Sequence, residues 1–157
     1  VALALLKEEP RASALAADIS ADALETASKK ADMSGVGDRF SVRKSEWFET
    51  VSEKFHVIVS NPPYIPSKEI ESLEREVRDY DPLAALDGGP DGLDAYRAIA
   101  AEAASHLEQD GSIIVEIGYG QQDDVNAIFA AAGFSASGQA RDLGGVIRTL
   151  AFIAENA

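Results

Sequence analysis

The sequence predicts an α/β fold: a mostly parallel sheet with helices between its strands and a C-terminal antiparallel hairpin. Three observations predict it. Segments with apolar residues at helical spacing alternate with short apolar runs. Two of those runs, FHVIVSN at 55–61 and SIIVEIG at 112–118, are near-continuous and read as buried strands. The last two strands, about 134–141 and 146–154, are separated by Gly144 and Gly145, which suit a hairpin turn.

Each element has a local signal. VALALLKEEP reads as the last turns of a helix with Pro10 at its exit. Residues 12–18 read as a short strand ending in an acid, although alanines are poor strand formers. Ser20 is placed to cap a helix reaching about Met33, with Asp22 in its first turn and Gly35 and Gly37 beyond its end. A second strand runs from Phe40 through Val42 to Ser45, and the 55–61 run is expected to be a central strand covered on both faces. Pro62 and Pro63 must end it, because neither carries a backbone N–H. Ser67 is placed to cap a further helix, with Ile70, Leu73 and Val77 on one face and Glu71 paired with Arg75. Residues 81–94 are rich in Gly and Pro and read as a structured loop. Tyr96, Ile99, Ala103 and Leu107 line a helix, and Asp110–Gly111 turns the chain into the 112–118 strand. A helix over 121–132 presents Val125, Ile128 and Phe129, with Gly133 at its C-terminal cap.

Composition bounds the function. The chain has 157 residues, about one domain. Its 46% hydrophobic content supports a core. Cysteine is absent, which excludes disulfides, thiolate metal sites and a cysteine nucleophile. Two histidines exclude a histidine-rich metal cluster. Fourteen Lys/Arg against 27 Asp/Glu give a net charge of −13, which repels a nucleic-acid backbone and favours a protein or small-molecule partner. No apolar run reaches membrane-spanning length, and no signal sequence opens the chain, so a cytoplasmic location is expected.

The sharpest chemical feature is SNPPYIP at 60–66. An apolar strand delivers Asn61 at its C-terminal end, where open α/β sheets bind ligands. Pro62 and Pro63 stiffen the backbone and leave their carbonyls free as acceptors, and Tyr64 adds a flat face. A side-chain amide oxygen, a rigid carbonyl and an aromatic plane together suit a planar NH₂ group. The competing reading is a proline-terminated strand with a capping Asn. Asp18 closes an early strand, the position of acids that bind ribose hydroxyls, or else it merely neighbours the Ser20 cap. Such an acid follows a glycine-rich loop by about 20 residues, which places that loop before Val1. Glu46 is a candidate acceptor for an adenine amino group with Trp47 or Phe48 beside it, or a solvated turn acid. Glu116 interrupts an apolar strand; it is expected either to hold the Asn61 loop by accepting backbone N–H groups or to point into water. His56 and His106 read as structural.

Together these residues resemble the catalytic domain of bacterial peptide-chain release factor glutamine-N5 methyltransferases. The resemblance rests on AADIS at 16–20, SNPPYIP at 60–66, EVRDYDP at 76–82, ALDGGPDGLDAYR at 85–97 and VEIGYGQ at 115–121. It implies a Rossmann-like S-adenosylmethionine-dependent fold with sheet order 3-2-1-4-5-7-6. It also implies methyl transfer to the side-chain amide of the glutamine in the GGQ motif of release factors. Asn61, Pro62 and Tyr64 would be catalytic, with Pro63 also against substrate. Asp18, Ile19, Glu46, Trp47 and Asn61 would hold S-adenosylmethionine, and no metal would be needed. Glu46 stands where the family more often carries Asp. The resemblance makes residues 1–157 a partial methyltransferase domain, with strand 1, the glycine loop and a helical domain expected before Val1. The 157 residues alone are then expected to bind cofactor poorly and to fold weakly. The alternatives are an N6-adenine nucleic-acid methyltransferase, which shares the planar-NH₂ logic, and a noncatalytic α/β interaction module.

Overall fold

A computed structural model describes residues 1–74 and 82–155. The chain divides into two compact units, Val1–Glu53 and Lys54–Ala157. The first contains α1 (Ala2–Glu8), β1 (Ala14–Asp18), α2 (Ala21–Met33) and β2 (Phe40–Lys44). β1 and β2 pair in parallel, from Ala14 opposite Phe40 to Asp18 opposite Lys44. Leu6, Ala31 and Val36 are buried together, with Leu3, Ala12, Ala14 and Phe40 packed against them. The Ser20 hydroxyl accepts from the Ala23 N–H at 3.2 Å, the N-cap expected from sequence. Arg39 gathers the end of α1, donating to the carbonyls of Leu6 at 2.6 Å and Ala12 at 2.7 Å. The Leu6 carbonyl lies in the last turn of α1, so a cation there satisfies it and opposes the negative end of the helix dipole, while Ala12 lies beyond the helix, just before β1.

The second unit contains β3 (Phe55–Ser60), α3 (Leu83–Leu86), α4 (Asp94–Ala103), β4 (Leu107–Glu116), α5 (Gln122–Ala131), β5 (Phe134–Arg141) and β6 (Ile147–Ala154). Its sheet order is β3-β4-β6-β5, with β3 and β4 parallel and β6 antiparallel to both neighbours. One reversed strand among four is the expected mostly parallel pattern with a terminal hairpin. The two sheet orders, β1-β2 and β3-β4-β6-β5, reproduce the 3-2 and 4-5-7-6 parts of the order implied by the resemblance. Along β4 the pleat buries Ile113 and Val115, and Ile117 just beyond its end is buried too. Phe129 stacks on Phe152 with centroids 4.2 Å apart and meets Phe134 edge-on at 5.6 Å, tying α5 to the hairpin.

Several local expectations are corrected. β3 is not covered on both faces: it is the last strand of its sheet, and Val57 and Val59 are 48% and 40% exposed. Asp110–Gly111 does not precede β4 but lies inside it, where the register slips between Phe55 and Val57 and Asp110 takes φ 61°. A 3-10 helix, not an α-helix, follows Pro66, and Ser67 does not cap it. The Ser67 hydroxyl donates instead to Asp87 Oδ1 at 2.7 Å. Arg75, Val77 and the 76–81 part of the EVRDYDP motif lie outside the described residues.

Arg43 braces the end of the first unit by a two-pronged pair with Glu53, at 2.6 and 2.7 Å. The guanidinium and the Ser52 N–H lower the Glu53 carboxyl from 4.5 to about 2. A lowered folded-state pKa adds stability above the unfolded value that disappears as pH falls through the folded one. The melting temperature of Glu53→Gln is therefore expected to lie below wild type at pH 7. That gap should shrink below about 4.5 and close near 2, and at pH 7 it should narrow with salt because the pair is partly exposed.

Candidate methyl-transfer site

In the second unit, β3 and β4 run parallel, so their C-terminal ends lie side by side, with Ser60 opposite Val115. Asn61 follows directly and is exposed; its side chain makes no hydrogen bond with described residues. Pro62 is buried, while Pro63 and Tyr64 are half-buried. Asn61, Pro62, Tyr64, Ile65, Ala85 and Leu86 line a cleft of about 200 Å³. Asn61, Pro62 and Tyr64 thus line one cleft.

The two prolines remove two backbone donors, so the tetrapeptide cannot be held by a ladder of its own. It is held from outside by the ALDGGPDGLDAYR segment. The Ile65 N–H donates to Leu86 O at 3.1 Å, and its carbonyl accepts from Gly88 N–H at 2.9 Å. Ser67 N–H donates to Gly89 O at 2.9 Å. Asp87 Oδ1 accepts from both the Ser67 hydroxyl and the Gly89 N–H, which hold the Asp87 carboxyl below the usual range. Arg97 pairs with Asp91 at 2.6 Å and Asp94 at 2.8 Å, closing the other end of the loop. Tyr96 is fully buried and its hydroxyl donates to Glu116 O at 3.0 Å; burial pushes the phenol up, keeping it a neutral donor.

Glu116 does not secure this loop. Its carbonyl is engaged by Tyr96, but its carboxylate makes no hydrogen bond with the described residues. The Tyr64 and Gly92 carbonyls need donors, which an ionised carboxylate cannot supply because it only accepts. Gln121 supplies the donors. Its Nε2 donates to Tyr64 O at 2.9 Å and Gly92 O at 3.2 Å, while Oε1 accepts from Gly118 N–H at 2.9 Å. Sequence reasoning passed over Gln121 because it stands where a helix begins. The available signal was the glycine on each side of Tyr119 just before it.

The first unit presents a separate cluster. Asp18 ends β1, and Ser45 N–H, just past β2, donates to Asp18 O at 3.1 Å. Asp18, Ile19 and Glu46 are therefore exposed at the C-terminal ends of adjacent parallel strands. Asp18 Oδ1 accepts from Ser20 N–H at 2.8 Å, so Asp18 is also the neighbour of the helix cap. Trp47 is half-buried at φ 44°, in a turn stabilised by Thr50 N–H donating to the buried Ser45 hydroxyl at 3.1 Å. An exposed carboxylate at a strand end fits a vicinal diol, and the Glu46–Trp47 turn offers an acceptor beside an aromatic plane. Among the described residues, no group of three His, Asp or Glu is gathered to hold a metal ion.

This is a Rossmann-like methyltransferase fold. The family model described as "Methyltransferase small domain" matches residues 1–76. The fold is shared with a ribosomal protein L11 methylase from Lactobacillus delbrueckii subsp. bulgaricus, at TM-score 0.70 and 23% identity over 99% of this chain and 64% of that one. More narrowly, the chain is homologous to release factor glutamine methyltransferases. It is 53% identical to that of Agrobacterium fabrum over 97% of this chain and 53% of the relative. It is 43% identical to that of Cereibacter sphaeroides over 92% of this chain and 52% of the relative. The chain spans about half the length of these relatives.

Gly92 and Gly120 separate the two demands made on a glycine. Gly120, at φ +79°, has open space around an added Cβ. Gly120→Ala is expected to cost only the left-handed strain, about 1–2 kcal/mol. Gly92, at φ +78°, would carry a Cβ 2.4 Å from Tyr64 O and 2.8 Å from Gln121 Nε2. Gly92→Ala should therefore lower the unfolding free energy in urea by more than Gly120→Ala does. Equal losses would contradict the close packing of Tyr64 and Gln121 on Gly92.

Proposed function

We propose that the chain is part of a cytoplasmic methyltransferase catalytic domain. Its reaction transfers a methyl group from S-adenosylmethionine to the side-chain amide nitrogen of the glutamine in the GGQ motif of peptide-chain release factors, proteins of translation termination. One observation carries the reading: exposed Asn61, with Pro62 and Tyr64, lines a cleft at the C-terminal end of a parallel strand. The homology to release factor glutamine methyltransferases supports the choice of acceptor. No helix among the described residues is long and apolar enough to cross a membrane.

The chemical problem is the acceptor. An amide nitrogen is a poor nucleophile because its lone pair is delocalised into the carbonyl. Asn61 Oδ1 and the Pro62 carbonyl accept its two N–H groups and hold the NH₂ plane, while Tyr64 packs against it. As the new N–C bond forms, positive charge grows on nitrogen, where the two carbonyl dipoles stabilise it. Positioning contributes as well, because the acceptors sit on a segment stiffened by two prolines. When bound, S-adenosylmethionine supplies an electrophilic methyl group on a sulfonium. Asp18 would hold its ribose hydroxyls and Glu46 its adenine amino group, with Ile19 and Trp47 alongside. Among the described residues, those lining the cleft carry no carboxylate or imidazole, and the surplus proton leaves the nitrogen after transfer. Pro63 disfavours the helical region for Pro62 before it and lies against the substrate.

Two substitutions in the full-length protein separate these roles. Asn61→Ala should lower kcat for release-factor methylation by about 10²-fold or more, with a much smaller change in S-adenosylmethionine affinity. Asp18→Ala should weaken cofactor binding by about tenfold or more, the loss of a charge-assisted hydrogen bond. Calorimetric titration and transfer of labelled methyl groups read the two effects. Equal loss of both quantities in Asn61→Ala would contradict the assignment.

A further inference from the structure

We infer that Gln121 is a positioning residue for methyl transfer, acting through the Tyr64 carbonyl on the Asn61–Tyr64 segment; the inference rests on the function proposed above. Gln121 stands immediately before α5, and its carbonyl accepts from Val125 N–H at 3.0 Å, which anchors its main chain to the helix. Its side chain does not cap that helix. It turns back, and each end of the amide meets the partner its chemistry requires. Oε1 faces the Gly118 N–H, and Nε2 faces the carbonyls of Tyr64 and Gly92. Reversing the amide would set oxygen against two carbonyls, so the surroundings admit one orientation. The fit is close on both sides. A Cβ on Gly118 would lie 2.6 Å from Gln121 Oε1 and 3.0 Å from Tyr64 Cδ2.

The consequence for the reaction follows from the missing donors. Pro62 and Pro63 cannot anchor the segment through their nitrogens. Its downstream end is fixed by Ile65 pairing with Leu86 and Gly88, and at Tyr64 itself by Gln121. Tyr64 O is two residues from the Pro62 carbonyl and three from Asn61. Loss of the Gln121 donor frees the Tyr64 end of the segment while leaving the acceptors chemically intact. A displacement of about 1 Å at a reacting centre costs about 10²-fold in rate.

The test uses Gln121→Glu and Gln121→Met in the full-length protein. The first keeps an acceptor for Gly118 N–H but sets oxygen against the Tyr64 and Gly92 carbonyls. The second is neutral and unbranched, so it still reports if Gln121→Glu does not fold. With a release factor as substrate, both should lower kcat by about 10- to 100-fold at temperatures well below their melting points. The S-adenosylmethionine Kd should stay within about threefold, below the tenfold that a 1.4 kcal/mol loss represents. The same substitutions in an Asn61→Ala background should add less than their effect in wild type, because both act on one geometry. Wild-type kcat in Gln121→Met, or losses that multiply fully with Asn61→Ala, would overturn the inference while leaving the proposed function in place. A wild-type protein that methylates no glutamine would remove that function and this inference with it.

Discussion

Two consecutive prolines in the Asn61–Tyr64 segment set the constraint on which the second unit depends. They give the segment stiffness and free carbonyls, and they deny it the N–H groups by which a strand is normally held. Its shape must then be imposed by neighbours that donate to carbonyls and pair with Ile65. The chain meets this need with backbone groups of Leu86, Gly88 and Gly89 and with the side-chain amide of Gln121. Glycines at 92 and 118 are the spatial condition for that solution, because Cβ atoms there would collide with Tyr64 and Gln121. The acidic residues of the 87–94 loop serve the same end: Asp87 binds Ser67, and Asp91 and Asp94 bind Arg97.

Each unit places polar groups at the C-terminal ends of parallel strands. In the first, these are Asp18 and the Glu46 turn; in the second, Asn61 and its proline-stiffened successor. Parallel pairing makes this possible, since it brings like ends of neighbouring strands together and leaves the following loops to carry chemistry. The cores supply rigidity. Tyr96 shows the link: fully buried, it spends its hydroxyl on the carbonyl of Glu116 at the very end of β4.

Much of this was legible from residue order. Ser20 as a cap, Gly133 and Gly145 at positive φ, the reversed last strand and Asn61 at a strand end all follow from local chemistry that tertiary contacts did not override. What escaped depended on partners distant in sequence. Ser67 looked like a cap but is claimed by Asp87, twenty residues on. Glu116 looked like the holder of the loop because a charge in an apolar strand draws notice. The loop needed a donor, and that requirement emerges only when Tyr64 and Gly92 are seen to share Gln121. The Asp110 bulge was hidden for a similar reason: Asp-Gly signals a turn in sequence, and only the pairing with β3 shows that the strand continues through it.

The position of the acceptor amide decides the mechanism. The direct measurement is a crystal structure of the full-length protein with S-adenosylhomocysteine and a GGQ-containing release factor fragment. The glutamine side-chain nitrogen should lie within hydrogen-bond reach, about 3 Å, of both Asn61 Oδ1 and the Pro62 carbonyl, with Tyr64 against the amide plane. A glutamine bound away from these two oxygens, or held by other acceptors, would contradict the account.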